Sequence, residues 1–156
     1  MIPIPQDFQD FLRLLKKHDV EYLVIGGYAV AFHGYVRYTG DIDFYVSALK
    51  GNALKLVRVF REFGFASKDL NVDLFLEEGN IIRIGNEPMR LEVCNKIDGV
   101  SFGKCYENKI VSNIEGLEIK FISMSDLIKN KKSTRRKKDK ADAEELLKLK
   151  RERHPL

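Results

Sequence analysis

Between Leu23 and Val46 the chain reads LVIGGYAVAFHGYVRYTGDIDFYV. An apolar β-prone run is followed by two glycines, a short helix-like stretch, and a second apolar run that opens on Asp-Ile-Asp. This stretch constrains the fold most, because it spells a strand–turn–helix–strand unit: strands over 22–25 and 41–46, a helix over 28–34. Gly26 and Gly27 supply the tight turn, and without side chains they let a ligand approach the backbone closely. A glycine turn opening a helix presents bare N–H groups to an anion. Taken alone, the pair reads more readily as a plain structural turn.

The acids at the start of the second strand narrow the reading. Side chains alternate along a strand, so Asp41 and Asp43 share one face while Ile42 takes the other. At about 3.3 Å of rise per residue they stand roughly 6–7 Å apart. Carboxylates at that spacing can share one or two Mg²⁺ ions, which take hard oxygen ligands and leave positions for waters and phosphates. A solvated strand end carrying two acids is the bland alternative. Arg37 and Thr39 are in step with Asp41 if Gly40 does not bend the chain, which makes both candidate pocket residues. Turn and acids together point to metal-dependent chemistry on a nucleoside triphosphate.

A third acid is sought on another strand. In Met89-Arg90-Leu91-Glu92-Val93 the alternation puts Arg90, Glu92 and Cys94 on one face, with Leu91 and Val93 on the other. A glutamate in such an apolar run is costly to bury unless it is paired or coordinated. The competing reading is an Arg–Glu surface pair on an edge strand. Asp73, in a stretch over 70–75 that reads as a short helix or irregular turn, is the other candidate for the third acid.

Gly26-Gly27, His33, Arg37, Thr39 and Asp41-Ile42-Asp43 resemble the signature of the polymerase beta-like nucleotidyltransferase superfamily. The likeness is to its small stand-alone members, some of them toxins of toxin–antitoxin and abortive-infection systems. It continues through Glu92, 99–102, 109–122 and 126–146, and two departures stand out. Gly27 takes the place where members often carry Ser, and the third acid is Glu rather than Asp. The resemblance implies an α/β (α+β) fold: a mixed β-sheet flanked by helices, in one domain over 1–156 with a C-terminal helix. It implies that Asp41, Asp43 and Glu92 are catalytic and hold Mg²⁺, as two ions, with Mn²⁺ as a substitute. Gly26, Gly27, Arg37, Thr39 and Lys131 would bind the triphosphate, and Lys138, Asp139 and Asp142 match a later Lys-Asp-x-x-Asp. The implied reaction moves a nucleoside monophosphate to an acceptor hydroxyl with release of pyrophosphate. The acceptor would be RNA, tRNA included, or a protein, and a toxin member would have an antitoxin partner. A non-catalytic nucleotide- or RNA-binding module is the alternative. Larger members append a substrate-binding helical domain, so the acceptor here would be gripped by a second subunit of a homo-oligomer or by a small exposed surface.

Composition removes other classes. No stretch approaches the ~20 apolar residues of a membrane span, and the first residues lack the basic and apolar regions of a secretory signal. Cys94 and Cys105 show neither zinc spacing nor a disulfide framework, which suits reduced thiols in a cytoplasmic protein. His18, His33 and His154 have no partner for nucleophilic catalysis, and His33 reads as structural. Elsewhere, Phe8, Phe11, Leu12 and Leu15 mark a helix behind Asp7 as N-cap, running to His18. Leu54, Val57, Phe60 and Phe63 mark another that ends near Gly64. Strands over 81–84 and 89–93 are joined across 85–88, and 109–114 with 117–122 form a hairpin about Glu115-Gly116.

Charge is uneven. Residues 129–153 hold twelve Lys or Arg against five Asp or Glu, an excess of seven in a chain whose net charge is +4. Such a block can bind a nucleic-acid backbone or stabilise a triphosphate. It can also be a solvated helix face laced with i,i+4 pairs involving Asp139 or Glu144.

Overall fold

The computed structural model describes residues 3–65, 67–86 and 89–154. Six strands, β1 (Tyr22–Ile25), β2 (Asp41–Val46), β3 (Ile81–Asn86), β4 (Met89–Cys94), β5 (Ile110–Ile114) and β6 (Leu117–Phe121), form one mixed sheet. Their order across it is β3-β4-β2-β1-β6-β5. β1 is buried at every position, as befits a central strand covered on both faces. It pairs antiparallel with β2, setting Ile25 opposite Asp43, and parallel with β6. β4 runs parallel to β2 in a register that sets Asp41 beside Arg90 and Asp43 beside Glu92. β4 is therefore an interior strand, and the edge-strand reading of Glu92 is corrected; β3 and β5 are the edges. The connection expected over 85–88 contains Glu87 and Pro88, which lie outside the described residues. The hairpin turn forms at Glu115 (φ 53°) and Gly116 (φ 82°), the paired positive φ values of a two-residue turn matched to strand twist.

The helices pack on both faces. α1 (Gln6–Lys17) begins two residues earlier than expected, with Pro5 rather than Asp7 as its N-cap. The Pro5 carbonyl already accepts from Gln9 N–H at 3.0 Å, so Asp7 sits in the first turn, where its charge still suits the helix dipole. α2 (Gly26–Phe32) starts at the glycines themselves rather than at Tyr28. α3 (Lys50–Glu62) ends before Gly64 as expected. Phe11 of α1 meets Phe44 of β2 at 5.2 Å, and Phe60 and Phe63 beside α3 at 5.6 and 5.2 Å. Each fully buried ring of this kind contributes about 1.5–3 kcal/mol, and the packing fixes which face of β2 turns inward. Asp41 and Asp43 occupy the opposite face.

α4 (Asp73–Leu76) is a single turn with Asp73 exposed. α5 (Phe102–Glu107) was not legible in the sequence; Phe102 packs edge-on against Tyr45 at 5.1 Å. The basic C-terminal segment is helical as expected, in two pieces, α6 (Met124–Ser133) and α7 (Lys137–Arg153). The chain is extended between them, at Thr134 (φ −90°, ψ 162°) and Arg136 (φ −76°, ψ 131°). Thr134 holds this break by donating to the Asp139 carboxylate at 2.8 Å. α7 thus folds back on α6. Among the described residues no helix is long and apolar enough to cross a membrane.

Candidate active site

β1 and β2 end at the same place, and that fixes the glycine turn. Gly26 has φ +65°, and a Cβ there would overlap the carboxylate of Asp43. A Cβ on Gly27 would come within 2.7 Å of Thr39 Oγ1. The two glycines are therefore needed for close approach to the acid-bearing strand as well as for the turn. Thr39 donates to the Asp41 carbonyl at 3.1 Å, bracing the approach to β2.

All eight residues singled out in the sequence, Gly26, Gly27, Arg37, Thr39, Asp41, Asp43, Glu92 and Lys131, line one polar cavity of about 260 Å³. Residues 37–39 are not part of a strand, yet both Arg37 and Thr39 reach it. Arg83, Arg90, Arg136 and Lys138 complete the wall. A second cavity of about 770 Å³ shares Gly26, Asp43, Glu92 and Lys131 with the first and extends over Ile25, Ile81 and Ile97. Asp43 and Glu92 stand where the two meet. Asp73 lines neither.

The strand-borne acids are held by arginines. Arg90 Nη2 lies 3.1 Å from Asp41 Oδ2 and 3.2 Å from Glu92 Oε1, and Arg83 Nε donates to Glu92 Oε1 at 2.8 Å. Burial, then the charge and hydrogen bond of Glu92, then the charge of Asp41 push Asp43 up to about 7, partly offset by Lys131. Burial also acts to raise Glu92, but hydrogen bonds from Arg83 and Asp43 outweigh it and hold Glu92 below the usual range. Asp43 therefore keeps its proton toward neutrality and offers it to Glu92.

The helix-borne charges are arranged differently. Lys131 Nζ is buried between Asp139 Oδ1 at 2.9 Å and Asp142 Oδ2 at 3.2 Å. Arg37 forks onto Asp142 with bonds of 2.9 and 2.7 Å. Burial by itself would raise both aspartates. Lys131 and Thr134 on Asp139, and Arg37 and Lys131 on Asp142, instead hold both low. Of the alternatives for residues 129–153, a solvated face with Asp139 in i,i+4 pairs is not what forms, since Asp139 pairs with the buried Lys131. Asp139 and Asp142 turn inward, while Lys132, Arg135, Arg136, Lys137, Lys138 and Lys140 are exposed.

His33 plays a structural part. Its Nε2 donates to the Ile122 carbonyl at 2.7 Å and pins the end of α2 to the end of β6. Burial keeps its pKa below the ordinary imidazole value.

Sequence reasoning gave Arg83 and Arg136 no role, and it treated Arg90, Asp139 and Asp142 only as pairing or matching residues. Arg90 was visible as the same-face neighbour of Glu92, and Asp139 and Asp142 as an i,i+3 pair. Arg83 needed the β3–β4 register that sets it opposite Glu92.

Three carboxylates on one sheet face form the oxygen donor set that a hard divalent cation takes. No three such groups among the described residues converge on one point as they stand, because Asp41 faces Arg90. The chemistry of this donor set fits such a cation.

A mixed sheet that brings a glycine turn, three acids on neighbouring strands and a buried helical lysine to one cleft has the nucleotidyltransferase fold. The chain belongs to the family described as nucleotidyltransferase of unknown function (DUF6036), whose profile matches residues 6–151. Solved structures agree on the fold. The lincomycin-bound lincosamide antibiotic adenylyltransferase LnuA is similar over 94% of this chain and 98% of its own, at 16% identity and a TM-score of 0.59. A candidate nucleotidyltransferase of Thermotoga maritima, TM1012, is similar over 92% and 90%, at 19% identity and a TM-score of 0.55. An antigenic nucleotidyltransferase-like protein of Paracoccidioides brasiliensis is similar over 95% and 78%, at 14% identity and a TM-score of 0.55. No curated protein matches the sequence significantly.

Proposed function

We propose that this protein transfers a nucleoside monophosphate from a nucleoside triphosphate to an acceptor hydroxyl, in a metal-dependent reaction that releases pyrophosphate. The observation that carries this reading is the 260 Å³ cavity, where three acids stand opposite a glycine turn among arginine and lysine side chains. In this reading the Gly26 and Gly27 backbone and the cations Arg37 and Lys131 receive the β and γ phosphates. Thr39 braces the strand that carries Asp41.

Asp41, Asp43 and Glu92 would hold Mg²⁺, as two ions, with Mn²⁺ able to substitute. Bound there, the metal neutralises phosphate charge and lowers the pKa of the acceptor hydroxyl. Glu92, already receiving a hydrogen bond from Asp43, is the acid placed to take the acceptor's proton. The bond that forms joins the acceptor oxygen to the α-phosphorus, and the bond that breaks frees pyrophosphate. Arg136 and Lys138 stand at the cavity to meet the charge that develops on the leaving group.

The exposed cations around the α6–α7 break favour a polyanionic acceptor such as RNA over a protein hydroxyl. LnuA, an adenylyltransferase by its description, supports ATP as the first donor to try. Cys94 and Cys105 are both free thiols, in keeping with a cytoplasmic setting.

Calorimetric titration of ATP, CTP, GTP and UTP in Mg²⁺, on the wild type and on the Asp41→Asn/Asp43→Asn double variant, tests the proposal. Binding that needs both the metal and the two acids is the expected result. A folded wild type that binds no triphosphate, or a variant that binds as well as wild type, overturns it in favour of a non-catalytic module.

A further inference from the structure

Arg90 has a partnership that a merely structural arginine does not need. It bridges two of the three acids, one on each of two neighbouring strands, with its guanidinium 3.1 Å from Asp41 and 3.2 Å from Glu92. Strand register puts it there: β2 and β4 pair Asp41 with Arg90 directly, and alternation puts Glu92 on the same face. The partner on its other flank is Gly85 of β3, which brings no side chain of its own. Arg90 also lines the polar cavity of the glycine turn. A guanidinium that leaves the acids therefore stays within the space assigned above to the phosphates.

Arg83 provides the contrast. It holds Glu92 at 2.8 Å and its side chain is about half exposed, but no contact joins it to Asp41. Both arginines neutralise the acids. Arg90 occupies the space between them.

We propose that Arg90 is an exchangeable counter-ion: it and a divalent cation compete for Asp41 and Glu92, and the displaced guanidinium passes to the triphosphate. This rests on the metal-dependent reading of the site. The physical basis is that two carboxylates can be satisfied by a planar guanidinium or by a small hard cation, but one set of oxygens does not serve both at once. Metal alone then binds weakly, because it must break two charge-assisted contacts with no phosphate to replace them. Metal with triphosphate binds well, because the released Arg90 finds phosphate oxygens nearby. The exchange couples the two ligands and disfavours metal loading without nucleotide.

Calorimetric titration of Mn²⁺ without nucleotide, near pH 8, separates this from plain electrostatics. Arg90→Gln is expected to tighten Mn²⁺ binding about tenfold, while Arg83→Gln, which removes an equal charge, tightens it no more than about twofold. Arg90→Lys keeps the charge but not the Nη2 that meets both acids, and is expected to tighten it about threefold. ATP titrated in the presence of Mn²⁺ should bind Arg90→Gln about tenfold more weakly than wild type. Equal effects from Arg83→Gln and Arg90→Gln, or none from Arg90→Gln, overturn the exchange and leave the metal site standing. If Arg90→Gln fails to fold by circular dichroism, the Lys variant decides on the same terms. Mn²⁺ binding indifferent to Asp41→Asn/Asp43→Asn, or absent from every protein, overturns the metal reading and the exchange with it.

Discussion

Two charged clusters face one another across the cavity, and the same burial penalty ends in opposite outcomes for Asp43 and for Asp139 and Asp142. On the strands, three acids are crowded together with arginines at their margin, and Asp43 is pushed up to about 7. On the helices, two aspartates enclose a buried lysine and take the fork of Arg37, and both are held below their ordinary value. Neither cluster is fully solvated. The difference lies in the ratio of acids to cations and in geometry: Lys131 and Arg37 reach Asp142 at 3.2 and 2.7 Å, whereas the charge that acts most on Asp43 is another acid, Glu92. In the helical cluster each of these cations is already paired with an aspartate. The strand cluster is short of positive charge in the way a cation site is.

Removing an acid from each cluster should break this symmetry of position most visibly. Asp142→Ala leaves Arg37 and a buried Lys131 without their shared partner, and is expected to cost about 3–5 kcal/mol of stability by urea denaturation. Asp41→Ala, whose ion pair with Arg90 is partly exposed, is expected to cost no more than about 1 kcal/mol. Comparable losses at the two positions would show that the strand cluster is structural as well.

A smaller effect is expected at the turn that abuts the strand cluster. Gly26→Ala places a Cβ against the Asp43 carboxylate at a backbone angle of φ +65°. The expected cost is about 1–3 kcal/mol by denaturation, with loss of calorimetric triphosphate binding. A variant of unchanged stability and affinity would remove the close-approach role of the turn.

Titration sharpens the contrast by sign. Asp139 and Asp142 have depressed folded values, so the stability they supply is fully present above the ordinary value of 3.8 and is lost as pH falls below it. Asp43 has a raised value: between 3.8 and about 7 the folded state binds more protons than the unfolded one, and stability declines as pH rises through that window. Asp43→Asn should abolish the second slope and leave the acid limb, which thermal unfolding in buffers from acid to neutral would reveal. Because metal must expel the Asp43 proton, Mn²⁺ affinity should rise about tenfold from about pH 6 to about pH 8. A flat profile would mean that Asp43 is not a ligand.

The sequence-level reading was strongest where chemistry and local periodicity coincide. Asp41, Ile42 and Asp43 alternate in a strand whose limits matched expectation, and Gly26-Gly27 precedes it at a spacing that brings the turn to its edge. Glu92 was found from the cost of placing an acid in an apolar run, although its strand proved interior. What failed was less local. The break at Thr134–Arg136 lies inside a run of helix-forming lysines, and it exists because Thr134 finds Asp139 and the buried Lys131 draws α7 inward. α5 escaped notice because six residues, FGKCYE, give too little period to register.

By itself, then, the sequence determined the strand–turn–helix–strand unit, the acids and the face they share, because alternation and glycine geometry act within a few residues. Only the tertiary structure decided which cations meet which acids. Arg37 reaches Asp142 across 105 residues and Arg90 reaches Asp41 across 49. Those pairings depend on strand register and on the return of α7. Register and helix docking come from burying the whole core at once, and no local window of the chain contains that information.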